Sequence, residues 1–377
     1  MKEAMGIIYT TKDDLSLREL TTHRPVAALP VAGRYRIVDF ILSSLVNSGV
    51  RNVGVITQKN YNSLMDHLGA GKEWDLHTRN NGLFILPPYI NDENGGEYSG
   101  VLEALRANFD YLRRSKQELV ILTGSKSVFS TSFEPMLRQH VESGADMTVM
   151  YSKAAPGEMY LSGAKNEAHA YLQVEDDGRV SDVEINPNAA SYDNMAMDVF
   201  VVKRTLLIYL VDQAFSHGQR DLYSMLRDRI ASGLLDVRGY EYKGYHRRVE
   251  TVKGYYRLNM DLLGSYYRKA LFGQSPVYTK ERDEVPTVYG KNAEVKNSLI
   301  ADGCVINGTV ENCVIFRGVK IGSGCVIRNS IIMQDSYIED SVELDHVILD
   351  KAVTMRANGR LIGQKQYPIV IGKNVTL

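Results

Sequence analysis

Cysteine is scarce in this chain of 377 residues, and neither sign of charge dominates. The three cysteines, Cys304, Cys313 and Cys325, form no C-x-x-C pair. This pattern argues against a disulfide framework and a zinc site, so we expect a reducing, cytoplasmic location and no bound metal. Lysine and arginine number 44 against 45 aspartates and glutamates. Because there is no basic excess, we expect no nucleic-acid partner.

Long apolar runs are missing as well. No stretch approaches the roughly 20 apolar residues that a membrane-spanning helix needs, so we expect no membrane partner. The apolar segment near the start of the chain is too short for a signal peptide and predicts a buried strand instead. With 44% hydrophobic and 24% charged residues, the composition is that of a globular protein long enough for two domains.

Glycine is absent between Gly6 and Gly33. A strand-to-helix loop that binds phosphate needs glycine, because bare backbone N–H groups must approach the anion closely. The segment from Thr11 to Ser16 reads TKDDLS instead, and its two aspartates would repel a triphosphate. We therefore predict an ordinary surface turn here rather than a phosphate loop.

Short apolar segments alternate with amphipathic ones along the first two thirds of the chain. This alternation is typical of an α/β domain with a mostly parallel sheet. The predicted strands are Met5–Tyr9, Asn52–Thr57, Glu118–Thr123, Ala145–Tyr151 and Val199–Val202, and the predicted helices include Asp39–Ser48, Leu102–Arg114 and Phe133–Ser143. A hairpin is predicted where DDGR separates Tyr171–Glu175 from Val180–Ile185.

The last part of the chain carries a short-period repeat. Apolar residues recur every five or six positions, at 293, 299, 305, 310, 315, 321, 326, 332, 337, 342, 347 and 353. This spacing predicts a parallel β-helix of hexapeptide repeats, with the three cysteines as small buried residues inside it. A polar segment with two prolines precedes the repeat. We predict an α/β domain at 1–272, a linker at 273–289 and a β-helix at 290–377.

Three motifs between Arg34 and Gln58, RYRIVDF, LSSLVNSG and GVITQ, resemble the ADP-glucose pyrophosphorylases, or glucose-1-phosphate adenylyltransferases. The likeness runs along nearly the whole chain and includes VILDKAV in the repeat region. The resemblance implies a Rossmann-like nucleotidyltransferase domain followed by a left-handed parallel β-helix. It also implies the family reaction, in which ATP and glucose 1-phosphate give ADP-glucose and pyrophosphate with Mg²⁺.

The chain departs from this family at its catalytic positions. Ser16 stands where the phosphate loop of the family has arginine, Ser125 and Arg248 stand for its two metal-binding aspartates, and Ile185 stands for its sugar-phosphate lysine. Each change removes a charge that the reaction uses, and the loss of one such group typically costs about 3–4 kcal/mol in the transition state. We therefore predict no catalytic residues in this chain, no metal ligands, and Mg²⁺ only in a catalytic partner.

Other family positions are retained. Gln58 and Gly100 match substrate-binding positions and are interpreted as remnants of that site. Four further residues, Arg24, Arg36, Lys351 and His23, match positions that line an effector site between the two domains of bacterial relatives. Simple solvation explains any single surface cation, but three retained cations together favour a pocket for a phosphorylated sugar or another anion.

With its catalytic positions changed and its effector positions kept, the chain resembles the non-catalytic, GlgD-type regulatory branch of the family. The resemblance implies a heterotetramer with a catalytic glucose-1-phosphate adenylyltransferase subunit, which this chain would activate in glycogen biosynthesis. Two alternatives remain open: a weakly active adenylyltransferase that relies on Glu250 or Lys12, and a sugar-phosphate sensor without a catalytic partner. His346, the only histidine of the repeat, is interpreted as structural rather than as an acyltransferase base.

Overall fold

A computed structural model describes residues 4–10, 15–78, 81–88, 97–153 and 169–377 of the protein. Of the turn predicted at Thr11–Ser16, residues 11–14 lie outside the described residues, and Leu15 and Ser16 begin a 3-10 helix. The strands of the α/β domain are β1 (Ala4–Tyr9), β2 (Pro30–Val31), β3 (Tyr35–Arg36), β4 (Asn52–Ile56), β5 (Gly82–Leu86), β6 (Leu119–Gly124), β7 (Ser127–Val128), β8 (Met147–Lys153), β9 (Ala170–Val174), β10 (Val180–Ile185), β11 (Asn194–Lys203), β12 (Val237–Glu241) and β13 (Arg247–Arg248). The helices are α1 (Ile37–Asn47), α2 (Asn62–Leu68), α3 (Val101–Ala107), α4 (Phe109–Arg114), α5 (Glu134–Ser143), α6 (Arg204–Ser216), α7 (Leu222–Ala231), α8 (Val252–Asp261) and α9 (Ser265–Phe272).

Nine of the described strands form one mostly parallel sheet. Strands β5, β4, β1 and β6 run parallel in that spatial order, and β11 pairs antiparallel with β6. Strand β8 pairs with β11 on the side opposite β6, and β12 pairs with β8. The hairpin β9–β10 pairs with the first residues of β11. The predicted α/β domain and hairpin are confirmed. The carboxyl ends of β1, β4 and β6 meet at one edge, where open α/β sheets bind ligands.

One predicted helix is wrong in detail. The sequence predicted a single helix over 102–114, but the structure divides it into α3 and α4 at Asn108. The Asn108 side chain donates a 2.8 Å hydrogen bond to the carbonyl of Ala104, and its backbone leaves the helical region at φ −109°, ψ 22°. Asparagine competes in this way with the helix hydrogen bonds because its short amide reaches the local backbone.

The repeat region forms a parallel β-helix built from three five-stranded sheets. Its strands are β14 (Val288–Tyr289), β15 (Glu294–Lys296), β16 (Leu299–Ile300), β17 (Val305–Ile306), β18 (Thr309–Glu311), β19 (Val314–Ile315), β20 (Lys320–Ile321), β21 (Val326–Arg328), β22 (Ile331–Ile332), β23 (Tyr337–Ile338), β24 (Glu343–Asp345), β25 (Val347–Leu349), β26 (Thr354–Met355), β27 (Arg360–Ile362) and β28 (Ile369–Ile371). In the first sheet, Ile306, Ile321 and Ile338 stack in register and are fully buried. The three cysteines are also buried inside this core, each with a free thiol.

His346 lies in a corner of the β-helix that asparagines occupy in the preceding coils. Asn297, Asn312, Asn329 and His346 all have positive φ, between 40° and 53°. Asn297 donates to Asn312 at 2.7 Å, and Asn329 donates to Asp345 at 2.9 Å. The His346 ring lies 2.6 Å from the same Asp345 carboxylate. Asparagine tolerates the left-handed region well, and this stacked row gives His346 a structural position at the corner of the coil.

The α/β domain and the β-helix share a hydrophobic core. Leu17, Phe40 and Tyr255 of the first domain lie in one cluster with Phe316 and Ile331 of the β-helix. All five side chains are at most 3% exposed. Burial of a large apolar side chain contributes about 1.5–3 kcal/mol, so the shared cluster fixes how the two domains meet.

A buried ion pair crosses the same junction. The Arg24 guanidinium lies 2.6 Å from the Asp350 carboxylate, and the two side chains are 4% and 3% exposed. Arg24 Nε also donates to the Leu20 carbonyl at 3.1 Å. Nearby, the Tyr256 hydroxyl donates to the carbonyl of Asn329 at 2.6 Å. These polar contacts align the junction because each leaves a buried group unsatisfied if the domains shift.

The segment between α9 and β14 is bound to the first domain. Asn47 donates to the Pro276 carbonyl at 2.9 Å, and the backbone N–H of Tyr278 donates to Ser43 Oγ at the same distance. The Lys280 ammonium reaches the Asp66 carbonyl at 2.6 Å. The predicted linker is thus tied to α1 and α2. Among the described helices, none has the length and apolar character to cross a bilayer.

We expect Asp350→Ala to lower the free energy of unfolding by about 3–5 kcal/mol, because it leaves the buried Arg24 guanidinium without its counter-ion. Chemical denaturation at neutral pH measures the loss. The matched control is Glu343→Ala, which breaks a 2.8 Å pair with Arg360 whose side chains are 40% and 69% exposed. That surface change is expected to cost less than about 1 kcal/mol. Equal losses from both variants would show that the Arg24–Asp350 pair does not stabilise the junction.

Candidate functional site

A buried turn follows the carboxyl end of β6, at the position that the resemblance assigns to a metal ligand. Ser125 and Lys126 lie there, 2% and 4% exposed. The next residues form β7, which pairs with β13 and places Arg248 opposite Ser127. A 2.8 Å hydrogen bond from the backbone N–H of Val249 to the carbonyl of Lys126 holds the two segments together. Ser125 and Arg248, 123 positions apart in the sequence, therefore occupy one cleft.

A buried ion cluster of Asp198, Arg248, Glu250 and His169 fills this cleft. Arg248 Nη2 lies 3.0 Å from an Asp198 carboxylate oxygen, and Arg248 Nε lies 2.5 Å from Glu250. The second Glu250 oxygen lies 3.0 Å from His169 Nε2. The side chains of Arg248, Glu250 and His169 are each 8% exposed. One guanidinium thus lies between two carboxylates and supplies a counter-charge that both share, largely shielded from bulk water.

The charge state of Glu250 follows from this packing. Burial acts to raise its pKa, but Arg248 and His169 outweigh that effect and hold the pKa at about 2. Glu250 is therefore ionised at neutral pH and is matched with Arg248. A carboxylate held in this way is a poor general base, because its proton affinity is far below that of a group poised near pH 7.

Asp198 is a functional-site residue that the sequence analysis missed. It lies in β11 at a register shift between Ala196 and Val199, with φ at 56°. Its second carboxylate oxygen accepts a 2.6 Å hydrogen bond from the buried Tyr223 hydroxyl. A backbone held in the left-handed region beside a bulge marks a position under constraint. In the sequence, Asp198 could have been noticed as the one charged residue of the apolar run MAMDVFVV. The sequence does not show that its partner is Arg248.

The residues of the cleft do not fit the Mg²⁺ ion of the family reaction. Hard divalent cations take carboxylate and carbonyl oxygens, and here both nearby carboxylates are paired with Arg248. Ser125 offers a neutral hydroxyl, and Lys126 adds a positive charge beside it. Among the described residues, no group of three or more His, Cys, Asp or Glu side chains is placed to hold a metal ion.

Ile185 lies on the hairpin next to the same cleft. It ends β10 and pairs with Ala170, the residue after His169. His169 and Asn186 exchange two hydrogen bonds of 2.7 and 2.8 Å. Because His169 also contacts Glu250, the hairpin is connected to the ion cluster. The position matched to the sugar-phosphate lysine is therefore apolar and close to the ion cluster.

The two predicted substrate-binding remnants have structural partners. The Gln58 side chain accepts from the Tyr98 N–H at 2.8 Å and donates to the Thr10 carbonyl at 3.4 Å. Gly100 precedes α3, and a Cβ there would lie 2.4 Å from the Arg220 carbonyl oxygen, so only glycine fits. Ser16 lies in the 3-10 helix Leu15–Leu20, which supplies Leu17 and Leu20 to the shared core.

A second site, here called the interdomain pocket, opens between the α/β domain and the β-helix. It is lined by Pro30, Gly33, Arg34, Tyr35, Arg36, His67, Lys280, Arg282, Phe316, Arg317, Gln334 and Lys351. Six of these residues carry a cationic side chain and none is acidic, so the pocket is suited to an anion.

Two of the four predicted effector residues line this pocket. Arg36 is 8% exposed and donates to the Ser63 carbonyl at 2.6 Å, which orients its guanidinium. Lys351 approaches from the β-helix. Arg24 is close to both but is paired with Asp350, while His23 is exposed and is not among the lining residues. The structure thus brings Arg36 and Lys351 together in the lining of the pocket, while Arg24 forms an ion pair with Asp350.

Arg317 is the lining residue that the sequence analysis missed. It is 9% exposed, yet its Nε and Nη2 atoms have no hydrogen-bond partner among the described residues. Burial lowers its pKa, and the nearby Arg34 and Arg282 lower it further. A buried guanidinium with unused donors is costly unless a ligand completes it. Its position in the repeat gave no signal, because the pattern marks apolar residues only.

Comparisons with known proteins agree with this architecture. Residues 16–263 match the nucleotidyl transferase family, and residues 285–367 match the GlmU-like C-terminal hexapeptide family. The glycogen biosynthesis protein GlgD of Bacillus subtilis (strain 168) is 33% identical over 99% of this chain and 96% of its own length.

Relatives of two kinds occur in Geobacillus stearothermophilus. Its glycogen biosynthesis protein GlgD is 37% identical over 86% of this chain and 82% of its own length. Its glucose-1-phosphate adenylyltransferase is 32% identical over 87% of this chain and 84% of its own length. The identity, the coverage and the two matched domains lead to one conclusion: the chain belongs to the glucose-1-phosphate adenylyltransferase family, among its GlgD-type proteins of glycogen biosynthesis.

Proposed function

We propose that the chain is a non-catalytic regulatory subunit of a bacterial glucose-1-phosphate adenylyltransferase. It assembles with a catalytic paralogue, as a heterotetramer, and raises the activity of that subunit in ADP-glucose synthesis. The observation that carries the proposal is Arg248, whose guanidinium lies between the buried carboxylates of Asp198 and Glu250. A cationic side chain stands where the reaction needs a metal ion.

The ion cluster opposes metal binding energetically as well as sterically. A cation entering the cleft would have to separate Arg248 from two carboxylates that are largely shielded from water. Breaking one partnership of a buried ion pair costs about 3–5 kcal/mol, and the freed guanidinium would then repel the metal. Lys126 is a second fixed cation at the same turn. These costs support a chain that keeps the fold without the reaction.

An active partner is supported by the relatives. Geobacillus stearothermophilus has both a GlgD protein and a glucose-1-phosphate adenylyltransferase, so the two kinds coexist in one organism. Homologous subunits share backbone shape and can interchange at related interfaces. A regulatory subunit then acts through contacts that differ between the active and inactive states of its partner.

The interdomain pocket supplies the second part of the proposal. Its cations come from the first domain, the connecting segment and the β-helix, with Arg36, Arg282 and Arg317 as one from each. An anion that contacts all three would link these parts of the chain. We infer that the pocket binds a phosphorylated sugar or a related anion that tunes the effect of this subunit on its partner.

Co-expression with a catalytic paralogue tests the assembly. Alone, the chain is expected to form no measurable ADP-glucose, because its cleft cannot hold Mg²⁺. With the paralogue it is expected to co-purify in one complex and to raise the turnover of that subunit severalfold. Light scattering gives the mass, and a pyrophosphate-release assay gives the activity. Mg²⁺-dependent turnover by the chain alone would support a weak enzyme, while separate elution without activation would support a sensor.

The double variant Ser125→Asp, Arg248→Asp is expected to stay below about 1% of the paralogue's turnover. It restores two carboxylates, but the segment between Gly6 and Gly33 still lacks the glycines that admit a triphosphate. Circular dichroism checks that the variant remains folded. Turnover comparable to that of the paralogue would mean that the sequence argument about this segment is mistaken.

Arg317→Ala is expected to weaken anion binding at the interdomain pocket by about 10–100-fold, the loss of one or two charge-assisted hydrogen bonds. The readout is the rise in melting temperature with inorganic phosphate or glucose 1-phosphate. Arg328→Ala is the control, since Arg328 is a 46% exposed arginine of the same β-helix whose partner, Glu311, is 3.8 Å away. The control should leave the phosphate-dependent shift unchanged, and an equal shift in all three proteins would count against the pocket.

A further inference from the structure

Lys351 lies in the interdomain pocket among groups of mostly positive charge. Asp350 and Arg317 belong to the β-helix, Lys373 to the end of the chain, and Arg24 and Arg36 to the first domain. The other charged or titratable groups around the pocket are Arg34, His67, Lys280 and Arg282. His67 is itself held by the buried Asp39 carboxylate at 2.6 Å.

The carboxylate of Asp350, the residue before Lys351, already accepts hydrogen bonds from two donors. One oxygen of Asp350 accepts from the Arg24 guanidinium at 2.6 Å and from the backbone N–H of Lys351 at 2.7 Å. The Lys351 ammonium makes no ion pair with any carboxylate of the described residues. Lys280, the other lysine of the pocket, differs because its ammonium reaches the carbonyl and the carboxylate of Asp66.

This setting disfavours the charged form of the side chain. Burial lowers the pKa of Lys351, Arg36 and Arg24 lower it further, and the value falls to about 7. The free pocket therefore holds a mixture of charged and neutral Lys351 near neutral pH. Arginine keeps its charge over this range, so the neighbouring guanidinium groups do not titrate with it.

We propose that the interdomain pocket binds its anion together with a proton on Lys351, so that the occupancy of the pocket depends on pH as well as on the anion. The inference rests on the proposed anion role of the pocket. A bound dianion adds counter-charge to that of Asp350, which Lys351 shares with Arg24, and this favours the ammonium form. Solvent supplies the proton, and no bond of the anion is made or broken.

The direction of the pH dependence follows from linkage. Below pH 7 Lys351 is already charged in the free pocket, so binding takes up little proton and the affinity stays flat. Above pH 7 each binding event must also protonate Lys351. The affinity then falls with rising pH by up to about tenfold per pH unit, until the pH reaches the raised pKa of the occupied pocket.

Calorimetric titration with sulfate tests the proposal, because sulfate has two charges and no titrating proton between pH 6 and 9. Titrations at constant ionic strength, in buffers of different ionisation enthalpy, give both the dissociation constant and the number of protons taken up. We expect close to one proton at pH 8, close to none at pH 6, and an affinity that falls about fivefold to tenfold from pH 7.5 to 8.5.

Two lysine-to-arginine variants make the test specific. Lys351→Arg keeps a cation in place and should bind sulfate with little pH dependence. Lys320→Arg changes an exposed lysine of the β-helix outside the lining of the pocket, so it should behave like the wild type. Proton uptake that persists in Lys351→Arg would overturn the proposal. A flat wild-type profile would overturn it while leaving the pocket as an anion site. If sulfate did not bind at any pH, both the proton coupling and the anion role of the pocket would be wrong. Co-purification with a paralogue would still test the proposed assembly separately.

Discussion

The shared hydrophobic core between the α/β domain and the β-helix fixes the geometry on which the interdomain pocket depends. Side chains of both domains, such as Phe40 and Phe316, are fully or nearly fully buried in this core, and the Arg24–Asp350 pair crosses the same junction. Gly33 lies against the β-helix: a Cβ atom built on it would be 3.6 Å from the Cβ of Ala301 and from the carbonyl oxygen of Ile315. The pocket exists because these contacts hold cations from both domains at short range. A looser junction would let the like charges separate.

The two candidate sites differ in how their buried cations are balanced. In the cleft, Arg248 is matched by the carboxylates of Asp198 and Glu250. In the interdomain pocket, Arg317 has unused donors among the described residues, and Lys351 has a lowered pKa. The cation of the cleft has carboxylates beside it within the protein, whereas an anion would have to supply the counter-charge for the cations of the pocket. The same residue types therefore support structure in one place and the proposed anion binding in the other.

The sequence predicted the α/β domain, the hairpin and the β-helix because periodicity and turn residues are local signals. It also placed the changed residues at Ser125, Ile185 and Arg248. It could not find the partners of these residues. Asp198 meets Arg248 across 50 positions of sequence, and Arg24 meets Asp350 across 326. A motif comparison shows which charge stands at one position. The role of that residue also depends on the charges around it, and these come from residues distant in the sequence.

The proposed regulatory role requires that two surfaces of the chain be energetically coupled. The anion would contact the first domain, the connecting segment and the β-helix at once, and that segment is tied to α1 and α2. Binding there stabilises the arrangement in which the three parts converge. A partner that prefers this arrangement would bind more tightly when the pocket is occupied, and by reciprocity it would raise the affinity of the pocket. The strength of regulation is then set by how differently the partner binds the two arrangements, rather than by the affinity for the anion itself.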